Sequence, residues 1–545
     1  MTFNLIHTSW LPVRRASGRR TMISPIDLTD DISANPIIAF DWSRADFDAA
    51  SREFMIGLLS TACAAQIIRR QAWKHWWEKP PAAEVLADAF KPLEPAFDLD
   101  GDGPRFMQDM TLDGPVDAPV GALLIDSPGN NALKNNTDFF VKRGRIEQLS
   151  RSAAAMALYQ LQTYAPSGGA GHRVGLRGGG PLTCEVLAGT GTISLWHQLW
   201  LNVFADHDWL AEASAQKPIF PWMVPIRFSE KGLATTPEHA HPAYCFWGMP
   251  RRIRLDFEAG GDASCSLTGV EDPIQVRSFA TKPHGNKYEA WGMRHPLTPH
   301  YRQKPTSEWL ALHPQPGRMG YQDWIGIIVS DGGEGSALRM PARIVQIALG
   351  RLPGYVEKSW RLRLTGFDND NMKARGFIEC EMPLLMVDEE TRPAVEQLIR
   401  DLILGANEVE NLTGYAITTA LGEMKRDQGV RWQVSERFWS DTEPDFLDLV
   451  SVRMEHSTDA AGKLAISRDW ISILRRTSLA IFDELVPPTA IDSGDPLKYV
   501  KARSMLHRAL QGYDKMGNRI FKALNLEPPT KGKAAIRPQV EEAAS

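Results

Sequence analysis

No stretch of this 545-residue chain approaches the ~18 uninterrupted apolar residues that a membrane span requires. Cysteine is scarce, and the five present (Cys63, Cys184, Cys245, Cys265, Cys380) include no C-x-x-C pair. That spacing gives neither a disulfide framework nor a zinc ribbon, so reduced structural thiols are expected. The opening Met1-Thr2-Phe3-Asn4-Leu5 lacks the charged and apolar regions of a secretory signal, so a cytoplasmic protein is expected. Also missing are the phosphate-cradling G-x-x-x-x-G-K-[ST], the nucleophile elbow G-x-S-x-G and the zinc-binding H-E-x-x-H. No carboxylate pair and no internal repeat stands out. Without a catalytic constellation, neither enzymatic activity nor a cofactor or metal is expected.

What is present begins with size. Domains usually run ~100–200 residues, so this chain is expected to divide in two, with one part large. Its 43% hydrophobic and 23% charged content is ordinary for a globular protein. Its 17 tryptophans are many, and a side chain joining large apolar area to one polar handle suits cores and interfaces. The net charge of −5 argues against a general nucleic-acid binder, yet the charge is unevenly placed. Between Asn131 and Gly180, Lys134, Lys142, Arg143, Arg145, Arg151, Arg173 and Arg177 stand against only Asp138 and Glu147. Positive charge on glycine-rich backbone is what phosphate contact requires; a solvated loop with ordinary surface charge is the competing reading.

Three segments imitate active sites. Cys184-Glu-Val-Leu-Ala-Gly-Thr-Gly-Thr-Ile-Ser194 places G-x-G between a strand and a helix, half of a dinucleotide fingerprint. Ser194 replaces the third glycine and no βαβ series follows, so a nucleotide-dependent enzyme built on the Gly189–Gly191 turn is kept only as the alternative reading. Glu238-His-Ala-His241 has no further metal ligands in view and reads as a hydrogen-bonded or surface histidine pair. His295-Pro-Leu-Thr-Pro-His300 reads as a proline-stiffened loop.

Phe3 to Val13 reads as two short strands around a turn. About Arg44 to Trp77 reads as a long helix with Phe47, Phe54, Leu58, Ile67 and Ile68 on its apolar side. After a loop-like stretch over 115–136, a second helix is expected from about Gln148 to Tyr164. It ends at Pro166, and Ser167-Gly-Gly-Ala-Gly171 follows, where glycine permits close backbone approach. Leu182–Leu187 reads as a strand and Ile193–Phe204 as a helix; residues 220–385 mix short strands, including Ile253–Phe257 and Trp324–Val329, with polar connections. After about Leu385, Val395, Leu398, Ile399, Leu402 and Ile403 share one helical face. Trp470, Ile473, Leu474, Ile481 and Leu485 repeat that spacing, as do Val500, Met505, Leu506 and Leu510 more loosely. The expected fold is α+β: a large mixed α/β domain over 1–385, an antiparallel four-helix bundle over 386–527, and a tail over 528–545 without apolar period.

Three landmarks run in order along the chain: Phe3-Asn-Leu-Ile…Trp10-Leu-Pro-Val13; Ala157-Leu-Tyr159 through Pro166-Ser-Gly-Gly-Ala-Gly171 to Gly175-Leu-Arg-Gly-Gly-Gly-Pro-Leu-Thr183; and Trp291 with His295-Pro-Leu-Thr-Pro299. Together they resemble the CasA (Cse-type) large-subunit family of type I-E CRISPR Cascade complexes. The resemblance implies a non-catalytic subunit of an RNA-guided antiviral complex. Its partners would be CRISPR RNA, other Cascade subunits, double-stranded target DNA and a helicase–nuclease, with no membrane. Guide RNA reads sequence in this family, while the protein reads the protospacer-adjacent motif (PAM) from the minor groove, whose degenerate acceptor pattern tolerates related motifs. Duplex opening, R-loop formation and helicase–nuclease recruitment follow.

The resemblance also implies sites. The family's glycine loop falls on Ser167, Gly168, Gly169 and Ala170, two of which are not glycine. Its groove-inserting lysine falls on Lys282 in Thr281-Lys-Pro-His284, with Lys287 the fallback register. Its duplex-opening hairpin falls on Gly366-Phe-Asp-Asn-Asp-Asn-Met372, with contacts from Asn369, Asp370 and Asn371; Asn371 stands at the usual glutamine position, and the aspartates nearby would repel phosphate. Its loop near the RNA 5′ end falls on Phe139, Phe140, Val141, Lys142 and Arg143, where an aromatic beside basic residues can stack on a base. Some members carry paired cysteines where this chain has Ser150 and Ala153, so no structural zinc is expected. A purely architectural subunit contacting only protein and RNA is a third reading.

Overall fold

The computed structural model describes the chain except for residues 1, 139–140, 142, 170, 190–192, 210–216, 262, 316, 318, 333–334, 352–359, 371–372, 385–389, 423–427, 454–458, 487–495 and 530–545. The architecture is α+β, a mixed α/β region followed by a helical C-terminal region. It divides into two units, residues 1–316 with 326–386, and residues 317–325 with 387–545.

The first unit is built around the Ala45–Ala62 helix, whose small and apolar residues let it be buried on nearly every side. Phe54 sits at its centre, edge-on to Trp10, Phe97, Phe106, Tyr159 and Trp247 with ring centroids 5.4–6.0 Å away. The expected single helix from Arg44 to Trp77 is three: Ala45–Ala62, Ala64–Ile68 and Arg70–Glu78, with Cys63 and Arg69 leaving helical geometry. Tertiary packing explains the breaks. They turn Trp73 toward Trp200, where each indole N–H donates to the other residue's carbonyl, at 3.1 and 3.0 Å.

Four antiparallel sheets are formed in this unit among the described residues. The first orders β2 (Arg20–Ile23), β1 (Leu11–Arg15) and β3 (Ile37–Phe40). The second centres on β8 (Ile274–Lys282), which pairs with β7 (Arg252–Ala259), β4 (Val116–Pro119) and β5 (Leu149–Ser150). The third orders β13 (Lys373–Pro383), β12 (Arg361–Asp370) and β6 (Thr183–Leu187). A small fourth sheet joins β10 (Leu310–Ala311), β9 (His300–Tyr301) and β11 (Arg339–Met340). The expected strand over Trp324–Val329 does not form. Tyr321–Asp323 is a 3-10 turn, Gly326 adopts φ +100°, and its N–H donates to the Val329 carbonyl in a local turn.

The second unit holds five α-helices among the described residues: Arg392–Ala420, Gln428–Asp448, Ala460–Leu485, Pro496–Leu510 and the shorter Asp514–Ala523. Val395, Leu398, Ile399, Leu402 and Ile403 are buried, as their spacing predicts. The looser series holds only in part: Val500 is 59% exposed, and Ala502, Leu506, Ala509 and Leu510 form the buried face instead. Trp470 donates its indole N–H to the Leu402 carbonyl at 2.9 Å. Residues 317–325 belong here because Tyr321 stacks on Phe446 at 4.2 Å and its hydroxyl meets Thr442 Oγ1 at 2.7 Å. No helix among the described residues is long and apolar enough to cross a membrane.

Candidate nucleic-acid interface

The glycine-rich segment begins where the Arg151–Tyr164 helix ends. Ser150 caps that helix by accepting from the Ala153 N–H. Beyond it the chain folds back: Gly175 N–H donates to the Ala165 carbonyl and Gly180 N–H to the Tyr164 carbonyl. Two glycines here are obligatory. Gly171 has φ +86° and a Cβ on it would stand 2.7 Å from the His284 ring; Gly180 has φ +64° and its Cβ would stand 2.5 Å from both the Phe367 carbonyl and Asn369 Nδ2. The segment therefore touches the end of β8 on one side and the β12–β13 hairpin on the other.

Ser167 and Gly168 are exposed, and Gly169 takes φ +67°. The loop closes through Gly168 N–H to the His172 carbonyl and His172 N–H to the Gly169 carbonyl. Ala170 lies outside the described residues. His284 N–H donates to the Gly171 carbonyl at 2.9 Å, which anchors this loop beside the segment that carries Lys282. Lys282 ends β8 opposite Arg252, and its ammonium donates to the Asp113 carbonyl at 2.8 Å. Lys287, the fallback, is held by Glu289 at 2.5 Å. His284, just beyond Pro283, has φ +65°, an unusual backbone for a residue with a side chain.

In the β12–β13 hairpin, Asp370 pairs in register with Lys373, and the ladder shifts between Asp368 and Asn369. Asp370 is exposed, whereas both amide atoms of Asn369 are buried without a hydrogen-bond partner among the described residues. Asp368 is not a bare repulsive charge, because Arg375 pairs with it across the hairpin at 2.6 Å. Asn371 and Met372, the tip, lie outside the described residues, as do Phe139, Phe140 and Lys142 of the other expected loop. In that loop Val141 is 38% exposed and Arg143 is turned inward on its own segment, pairing with Asp138 and reaching the Leu133 carbonyl.

Three cations of the basic window, Arg151, Arg173 and Arg177, are engaged inside the fold. Arg151 pairs with Asp272 at 2.8 Å and Asp100 at 3.5 Å, and Arg173 donates to Ser229. Arg177, at the heart of the G-L-R-G-G-G-P-L-T run, is buried against Glu53 at 2.5 Å and also donates to Thr183 and Thr298. Burial alone would raise the Glu53 carboxyl, but the Arg177 guanidinium and a 2.6 Å hydrogen bond from Tyr164 hold it well below the usual range. His295 Nε2 stands 3.6 Å from Glu53, beyond hydrogen-bond length. Burial, with Arg177 adding to it, pushes His295 down to about 4, so its ring is neutral at pH 7. Lys134 and Arg145 remain exposed.

The other decoys resolve as structure. Ser194 caps the Leu195–Asn202 helix by accepting from the His197 N–H; Gly189 takes φ +70°, and Gly191 lies outside the described residues. His241 bonds the Trp209 carbonyl and accepts from Ala243 N–H. No group of three or more metal-ligating side chains occurs among the described residues. Arg251, which no sequence pattern singles out, runs beneath the glycine loop; its only local signal is the Arg251-Arg252 pair, whose second member opens β7.

The described architecture, a mixed α/β region followed by a helical region, is the frame for the comparison with known proteins. The chain belongs to the CRISPR-associated protein Cse1 family, whose sequence profile matches residues 4–481. It is similar to the CasA of Thermus thermophilus (17% identity, TM-score 0.63, covering 96% of this chain and 100% of that one). Thermobifida fusca Cse1 matches at 16% identity and TM-score 0.65, over 96% of this chain and 98% of that one. A chain of a CRISPR RNA-guided surveillance complex matches at 17% identity and TM-score 0.66, over 93% and 99%. At these identities the likeness is one of fold.

Proposed function

We propose that this chain is the large, non-catalytic subunit of an RNA-guided type I-E Cascade complex, and that it reads the PAM of double-stranded DNA from the minor groove. In this reading the cytoplasmic complex also contains CRISPR RNA and further Cascade subunits. Residues 1–385 do the recognising, and 386–527 form the helical part. Ser167, Gly168, Gly169 and Ala170 present backbone to the groove, and Lys282 enters it, because a narrow groove admits a glycine loop and one flexible cation more readily than paired forks. Asp370 and Asn371 enter beside the PAM to open the duplex for R-loop formation, while Asn369, whose amide is buried, holds the hairpin against Gly180. Residues 139–143 meet the RNA end, and the opened complex recruits a helicase–nuclease.

One observation carries the reading: residues 167–180 touch both the Lys282 strand end, through the Gly171–His284 bond, and the hairpin, through Gly180 against Asn369. Three groups far apart in sequence are thereby joined through one short segment. The wedge role is tested with Asn371→Ala, which should impair binding of intact duplex more than binding of a pre-melted bubble. An equal loss on both rejects it. Co-expression with partner subunits should also yield bound RNA of uniform length.

A further inference from the structure

A second cation stands at the same strand end. Arg251 precedes β7, and Gln162 of the Arg151–Tyr164 helix clamps its backbone. Arg251 N–H donates to Gln162 Oε1 at 2.9 Å, and Gln162 Nε2 donates to the Arg251 carbonyl at 3.0 Å. The side chain then runs beneath the glycine loop. Its Nη2 donates to the Pro166 carbonyl at 2.5 Å, and its Nη1 occupies the space where a Cβ on residue 168 would stand. Glycine at that position lets the guanidinium press against the loop, while Gly168 itself stays exposed.

No carboxylate among the described residues neutralises this charge. Burial alone pushes the Arg251 guanidinium down to about 10, with no acidic neighbour opposing it, and Nε has no hydrogen-bond partner. The titratable neighbours are His172, lowered by burial and by Arg251 itself, and His284. The buried arginines Arg52, Arg177 and Arg252 of this unit are treated differently, each with a carboxylate oxygen within 2.9 Å. Arg351 also lacks one among the described residues but lies over the Trp73 ring. A cation taken out of water without a partner is costly unless an anion meets it.

We propose that Arg251 is a phosphate-recognising charge that draws a nucleic-acid phosphodiester to the exposed side of the Ser167–Gly169 loop while holding that loop through Pro166. The proposal rests on reading the loop as a DNA contact and assigns Arg251 a task different from that of Lys282. A phosphate contact carries no sequence information, so its loss weakens all duplexes alike, whereas loss of a groove contact relaxes sequence preference.

The test uses the full-length chain and a duplex pool randomised over one short window, with affinities measured across a salt series. Arg251→Gln should weaken every duplex about tenfold and reduce the slope of log affinity against log salt by about one. Arg251→Lys, which keeps the charge, should keep the slope. An unchanged slope in Arg251→Gln, equal weakening by both variants, or no duplex binding by the parent chain at low salt overturns the proposal. Where Arg251→Gln melts early, Arg251→Met, which also removes the charge but keeps the apolar stem, is scored by the same criteria. A parent chain that binds without sequence preference, with the Arg251 effect intact, instead rejects the PAM reading alone.

Discussion

Arg177 and Arg251 flank the same glycine-rich segment, yet their surroundings are opposite. Arg177 is fully enclosed and answered by Glu53, Thr183 and Thr298; Arg251 reaches the loop from beneath and has no counter-charge among the described residues. The most recognisable motif of the chain, Gly175 to Thr183, is accordingly framework. It packs on Tyr164, Pro166 and Phe367, while the groups proposed to touch DNA lie at its margins. Density of motif and density of contact are different things in this molecule.

The contrast predicts effects of unequal size. Arg177→Ala leaves the Glu53 carboxylate buried and unpaired, so chemical denaturation should show a loss of about 3–5 kcal/mol. Lys282→Ala, at a strand end, should stay within about 0.5 kcal/mol of the parent in the same assay. A comparable loss in both would erase the distinction between framework and contact. Gly180→Ala should cost about 1–3 kcal/mol, since it forces a positive φ and a Cβ against the Phe367 carbonyl. Equal stability of that variant would mean the hairpin is not held by this segment.

A further expected effect is on pH. His295 and His300 are pushed by burial to about 4 and about 3, below the 6.5 of an unburied imidazole. As pH falls below about 6.5 the unfolded chain takes up protons that the folded chain refuses. Stability present above that pH is therefore lost progressively toward pH 4 and below. His295→Gln should flatten part of this decline in melting temperature, and an identical pH profile would remove His295 from the account.

How much of this was legible beforehand depends on range. The helix ending at Tyr164 and the apolar face from Val395 to Ile403 are readable because breakers and helical periods are local, although the helix starts at Arg151, after a Ser150 cap, and not at Gln148. The α+β class followed from such elements, and family membership from ordered landmarks. Pairing across the chain was not readable. Glu53 meets Arg177 over 124 positions, so nothing near Arg177 announces that its charge is spent. Trp324–Val329 looked like a strand because its apolar run hides one glycine in a left-handed turn. Arg251 escaped notice because its isolation becomes visible only once the loop lies above it.

On the proposed reading, contact with the PAM lies at the margin of the glycine framework, in Lys282. The direct measurement compares duplex targets with and without a PAM, bound by the parent and by Lys282→Ala. A loss of about 1–3 kcal/mol is expected on the PAM-bearing duplex and little on the other. Equal weakening of both duplexes would contradict it.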